Sequence, residues 1–139
     1  MAVTSKPIYL QSIQTYITTI VNANGTTAVS LAAAGTNGSK IEEINCVSND
    51  NSSAYTLNFY LYSSSTLYQL GCIDLYIQSG GIDNVPSINL LATSQMQFPK
   101  DSNGNPYIYL ANGNSLYISV GSAVNSGKTL TFFAHGGNF

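Results

Sequence analysis

Apolar residues recur at every second position along most of this chain, and no long stretch keeps the 3.6-residue spacing of an amphipathic helix. The segment AYTLNFYLY, Ala54 to Tyr62, shows the alternation most plainly. Tyr55, Leu57, Phe59 and Leu61 fall on one face and Thr56, Asn58, Tyr60 and Tyr62 on the other, because successive side chains on a strand point to opposite sides. The first face reads as core. The second carries tyrosines, whose rings pack while their hydroxyls reach water or a hydrogen-bond partner. Comparable runs lie at Ile13 to Val21, Thr26 to Leu31, Lys40 to Val47, Leu67 to Ile77, Ser87 to Leu91, Tyr107 to Leu110, Ser115 to Val120 and Lys128 to Ala134. About nine strands are predicted.

Four Asn-Gly pairs separate these runs, Asn24-Gly25, Asn37-Gly38, Asn103-Gly104 and Asn112-Gly113, together with Ser79-Gly80-Gly81 and Ser126-Gly127. Both residue types accept positive φ at low cost, which tight hairpin turns require, so neighbouring strands are expected to run antiparallel. YIYLANGNSLYISV reads as one such hairpin. The stretch from Gln78 to Pro106 holds three of the four prolines and is expected to contain one short strand between two irregular connections. Eight or nine short strands imply two packed sheets, because one open sheet would leave an apolar face in water. The expected fold is a jelly-roll-like antiparallel β-sandwich over residues 13–139. Residues 1–12 form an N-terminal arm or an edge strand, with the apolar surface of Ile8, Tyr9 and Leu10 to place.

A chain of 139 residues is one domain long and buries roughly two-thirds of its unfolded surface. Only 7% of residues are charged, there is no arginine, and Lys6, Lys40, Lys100 and Lys128 are scattered, so no basic patch exists to neutralise phosphates. Nucleic acid is not an expected partner. The polar surface is built from Asn, Ser and Thr, 45 residues together, beside ten Tyr. No window approaches eighteen apolar residues, and MAVTSKPIYLQS lacks the apolar run of a secretory signal, so no membrane is expected. Cys46 and Cys72 lie in strands among apolar neighbours, and a buried free thiol at each is favoured over a disulfide.

Candidate chemistry is sparse. Glu42-Glu43 is the sharpest pair, yet adjacent residues on a regular strand face opposite ways and cannot flank one bond unless a bulge intervenes. If Ile44 and Cys46 point inward, Glu42 does too and needs a partner, with Lys40 at hand; if Ile41 and Val47 point inward, Glu43 shares their face. The single histidine, His135, lies near the C-terminus with no Gly-x-Ser-x-Gly turn to present a nucleophile, and reads as a chain-end polar contact. One His and two distant Cys do not make a zinc frame. Asp101, Asn103 and Asn105 alternate like calcium ligands, but the sixth and twelfth positions of that loop are Pro106 and Asn112, where an EF-hand needs Gly and a carboxylate. A turn that satisfies its own backbone is expected instead. No cofactor is expected, and the chain reads as a non-enzyme.

The order of features, TSKPIYLQS, then GTNGSKIEEI opening a strand, a polar NDNSS turn, LNFYL, and the closing LANGNSLYISV and GKTLTFFAHGG, resembles small β-sandwich virion proteins of tailed bacteriophages, of the capsid decoration or cement type. The resemblance implies a structural protein on the capsid exterior, with the major capsid protein as partner, assembled as a homotrimer. On that reading Ile8, Tyr9 and Leu10 dock the arm, and Glu43, Tyr60, Tyr62 and His135 lie at subunit or capsid boundaries. The alternative is a carbohydrate-binding adhesin module of a head or tail fibre, taking a host glycan with Tyr and Asn around residues 80 to 107.

Overall fold

The computed structural model describes residues 10–76, 87–92 and 95–139. Ile8, Tyr9, the Ser79-Gly80-Gly81 turn and the end of the Leu67 to Ile77 run lie outside the described residues. Nine strands are present among the described residues: β1 (Ser12–Val21), β2 (Val29–Ala33), β3 (Ser39–Ser48), β4 (Tyr55–Ser63), β5 (Thr66–Leu75), β6 (Ser87–Asn89), β7 (Ile108–Leu110), β8 (Ser115–Val120) and β9 (Thr129–Asn138). Each expected run has its strand, with shifted ends. Ser87 to Leu91 is strand only to Asn89, and Leu90–Ala92 coil into a single 3-10 turn that buries Leu90 and Leu91 side by side, a placement alternation would forbid.

The strands form two antiparallel sheets, one ordered β1-β9-β3-β6 with β7 also on β3, the other β2-β8-β4-β5. With the three-residue β7 set aside, the chain crosses between sheets at every connection except β4–β5. The eight remaining strands thus form two interlocked Greek keys, a jelly-roll β-sandwich. This corrects the hairpin expected of YIYLANGNSLYISV. Ala111 to Asn114 do make the turn, with Asn114 N donating to Ala111 O at 3.0 Å, but β7 pairs with β3 and β8 with β2 and β4. Asn112-Gly113 turns a corner between sheets, as do Asn24-Gly25 and Asn37-Gly38.

Among the described residues, the one hairpin that joins consecutive strands turns at Ser64-Ser65, both at positive φ, 50° and 63°. A two-residue turn with positive φ at both positions matches strand twist but normally takes Asn-Gly, and serine is strained there. Ser64→Asn with Ser65→Gly is therefore expected to stabilise the protein by about 1 kcal/mol, raising Tm by about 4 °C. A thermal melt at or below the wild-type Tm would show that the turn is not strained.

The core lies between the sheets. Ile41, Ile44, Leu57, Phe59, Leu116, Ile118, Leu130 and Phe132 are all buried, and each such side chain contributes about 1.5–3 kcal/mol relative to exposure. On β4, Tyr55, Leu57 and Phe59 face inward as the alternation requires. On β1 the inward face carries Gln14, Tyr16, Thr18 and Ile20, leaving Ile13 and Ile17 outward at 90% and 63% exposure.

Candidate functional site

On the outer face of the first sheet Lys40, Glu42, Glu43 and Asp101, four of the eight described charged residues, come together. β3 carries a bulge between Ile41 and Glu43 where it meets β9, so Ile41 and Ile44 both point into the core and the two residues between them turn outward. The expectation that Glu42 and Glu43 face opposite ways is overturned, and so is that of an inward Glu42. The extra residue resets the alternation, and both carboxylates line one groove of about 500 Å³ with Lys40, Asn89, Ala92, Asp101, Asn105 and Pro106.

Within the groove the carboxylates have separate partners on their own strand. Lys40 Nζ lies 3.1 Å from Glu42 Oε1, with the two side chains 17% and 53% exposed, and Asn45 Nδ2 donates to Glu43 Oε1 at 2.9 Å. The hydrogen bond to Glu42 raises the Lys40 pKa above its ordinary value, against a smaller opposing effect of burial. Asp101 closes the loop beneath. Its Oδ1 accepts from the Asn103 and Asn105 amides at 2.8 and 2.9 Å, and its pKa is held below the usual range chiefly by the Asn105 amide. This is the self-satisfied turn expected of DSNGNP. Among the described residues no group of three His, Cys, Asp or Glu is arranged to hold a metal ion.

Aromatic rings border the same groove. Tyr107 and Tyr109 pack with centroids 4.4 Å apart, Tyr109 meets Phe139 at 5.9 Å, and Lys40 Nζ sits 5.1 Å from the Tyr107 centroid. A cation over a ring face is attracted by its quadrupole, which ties the charged floor to the aromatic border. The place of these rings beside the groove depends on β7 docking beside Lys40 and Ile41.

The expected contact residues divide between two surfaces. Glu43 and His135 are cross-strand neighbours on the outer face of the first sheet, in a row that continues to Thr15. His135 Nδ1 is 3.4 Å from Thr15 Oγ1, a polar contact made from within β9, which extends four residues beyond Ala134. Tyr60 and Tyr62 project from the outer face of the second sheet. Tyr62 packs on Tyr117 at 5.0 Å, and Ser119 Oγ donates to the Tyr60 hydroxyl at 3.3 Å. Leu10 lies against Gly137 at the end of β9. Gln11 N donates to Asn138 O at 2.7 Å, which makes the described end of the arm a continuation of edge strand β1.

Both cysteines are free, and the sheets keep them apart. Cys46 is buried, which pushes its thiol up to about 12. Cys72 is exposed, contrary to expectation, because it pairs with Asn58 on the outward face of β5. Sequence reading also missed the apolar tip of the β4–β5 hairpin, where Leu67, Tyr68 and Leu70 are all exposed. A bulge in the β4–β5 pairing at Phe59/Tyr60 resets the alternation of this tip.

The architecture is thus a jelly-roll domain with two solvent-facing aromatic surfaces. No protein-family model matches the chain, and none of the curated proteins compared with it is similar to it.

Proposed function

We propose that the protein is a non-enzymatic virion component of a tailed bacteriophage that binds the outer capsid surface and stabilises the shell. The observation that carries this reading is the aromatic outer surface of the second sheet, where the Tyr62–Tyr117 pair adjoins the exposed Leu67, the cross-strand partner of Tyr62, at the tip of a hairpin that also exposes Tyr68 and Leu70. Contiguous exposed apolar surface marks a protein-binding site, and aromatic residues enrich the buried centre of interfaces. With a formal net charge of −2, such a surface suits a permanent seat better than a fast electrostatic encounter. A ligand that binds only the assembled shell stabilises it by mass action, about 2.7 kcal/mol at a hundredfold excess over Kd.

Purified protein mixed with undecorated capsids is expected to sediment with them at a fixed stoichiometry, and a variant with Leu67, Tyr68 and Leu70 all changed to Ser is expected to stay in the supernatant. Failure of the wild type to sediment overturns the reading. The second reading, a glycan-binding adhesin module, is favoured by the Tyr107, Tyr109 and Phe139 cluster beside the carboxylate- and amide-lined groove. Binding on a glycan array that is lost in Tyr109→Ala supports that alternative.

A further inference from the structure

Edge strands expose unpaired amides and carbonyls, and proteins normally blunt them with charges, proline, bulges, short length or a covering segment. Three of the four sheet edges here are managed in such ways. On β5 the Gln95 side chain acts as a surrogate strand, accepting from Asp74 N at 2.7 Å and donating to Asp74 O at 3.3 Å, while Met96 packs against Gly71. On β2 the carbonyls of Ser30 and Ala33 accept from Thr18 Oγ1 at 2.8 Å and Tyr16 OH at 3.1 Å. β6 is three residues long. The remaining edge, β1, is ten residues long, SIQTYITTIV, without charge or proline, and its register with β9 is unbroken. Among the described residues no strand pairs with it on the side away from β9.

The outward face of this edge matches itself. From Ile13 to Val21 it reads Ile, Thr, Ile, Thr, Val, the same order of residue classes in either direction. Antiparallel pairing about a two-fold axis at Ile17 sets Ile13 opposite Val21 of a second copy, Thr15 opposite Thr19, and Ile17 opposite Ile17. Moving the axis to residue 16 or 18 sets isoleucine against threonine. Cross-strand pairs of β-branched residues and of threonines are favourable partners, and a strand with one strongly patterned face has a defined register. Phe133 of β9 lies beside Ile17, so the pairing would draw Phe133, both Ile17 side chains and the second Phe133 into one apolar band across the joint.

We propose that β1 pairs antiparallel with β1 of a second copy about a two-fold axis at Ile17, joining the two first sheets, each four strands wide, into one continuous sheet of ordinary width. The partner is the chain itself, because the edge is uncharged and its side-chain classes are self-complementary. This pairing differs from the trimer that the resemblance implies and is independent of what the second sheet binds.

Light scattering on the eluting full chain is expected to give twice the chain mass of 14.7 kDa. Ile17→Lys, which sets two ammonium groups opposite each other on the axis, is expected to reduce this to the chain mass with an unchanged circular dichroism spectrum. Leu67→Lys on the hairpin is expected to keep the pair. Ile17→Cys in a Cys72→Ser background is expected to form a covalent dimer on mild oxidation, and it decides the question should Ile17→Lys fail to fold. The chain mass at high protein concentration, three times the chain mass, a pair that survives Ile17→Lys, or no cross-link through residue 17 would each overturn the proposal.

Discussion

Gly136→Ala is expected to destabilise the protein by about 3 kcal/mol or more, although it adds one methyl group at a position with no positive φ. A Cβ at residue 136 would overlap the Lys40 carbonyl oxygen, come within 2.9 Å of its carbon, and reach 3.0 Å from Ile41 Cα. All three are backbone atoms, and they sit where the β3 bulge meets β9. No side chain can rotate away to make room. The two central strands of the first sheet must part, or the bulge must move and carry Glu42 and Glu43 out of their groove. Gly121→Ala is the matched control, since its Cβ would meet Thr56 Cβ at an ordinary 3.5 Å. Urea unfolding should show a large fall in midpoint for Gly136→Ala and almost none for Gly121→Ala. Equal midpoints would mean that the close approach at Gly136 is not a constraint of the native state.

Asp50→Ala is the other large effect, with an expected loss of about 3–4 kcal/mol. Asp50 is 1% exposed, and its two oxygens accept four hydrogen bonds. Oδ1 takes Ser52 N at 2.9 Å and Ser52 Oγ at 2.7 Å, and Oδ2 takes Tyr55 OH at 2.5 Å and Asn125 Nδ2 at 2.8 Å. Asn125 N donates in turn to the Tyr55 hydroxyl at 3.1 Å. The carboxylate therefore fastens the connection between β3 and β4 to the loop between β8 and β9. Removing it leaves the hydroxyl of the buried Tyr55 without its acceptor, which costs more than the bond contributed.

The same network makes stability depend on pH. Burial acts to raise the Asp50 pKa, but the hydrogen bonds from Tyr55, Ser52 and Asn125 outweigh it and hold the carboxyl well below its ordinary 3.8. A group depressed in the folded state stabilises fully above its unfolded pKa, and that contribution is lost as pH falls through about 4 toward the folded value. Asp50→Asn removes the titration while keeping the shape. It is expected to lower stability at pH 7 and to flatten its fall between pH 5 and pH 2. A parallel acid dependence in the two proteins would assign the acid sensitivity to other carboxylates.

Asp50 illustrates what was not legible beforehand. In the sequence it is one polar letter in SNDNSS, and its burial depends on Tyr55 and on Asn125, which is 75 residues away. The Glu42-Glu43 pair failed in the opposite direction. Regular alternation separates its carboxylates, but a bulge joins them, and the bulge exists because β9 presents a glycine where the β3 backbone swells. The nearest sequence signal was the Gly136-Gly137 pair, and it says nothing about which strand will lie against it. Tyr60 and Tyr62 were placed correctly on the outer side because strand period alone decides that.

Period-two patterning determined the strands, the inward faces of β4 and β8, and hence an all-β sandwich, since alternation is a property of each strand by itself and apolar faces must meet. Turn chemistry determined where the chain reverses, because Asn-Gly lowers the cost of positive φ wherever it stands. Only the tertiary structure decided what each reversal leads to. Most Asn-Gly turns became corners between sheets, and the single hairpin among the described residues fell at a strained Ser-Ser, because partner choice follows from packing two sheets over one core and not from local turn energy. The outward isoleucines of β1 were likewise visible as letters from the start. That they lie on an edge with no pairing strand among the described residues depends on β1 being the outermost strand of its sheet, which no local stretch of sequence specifies.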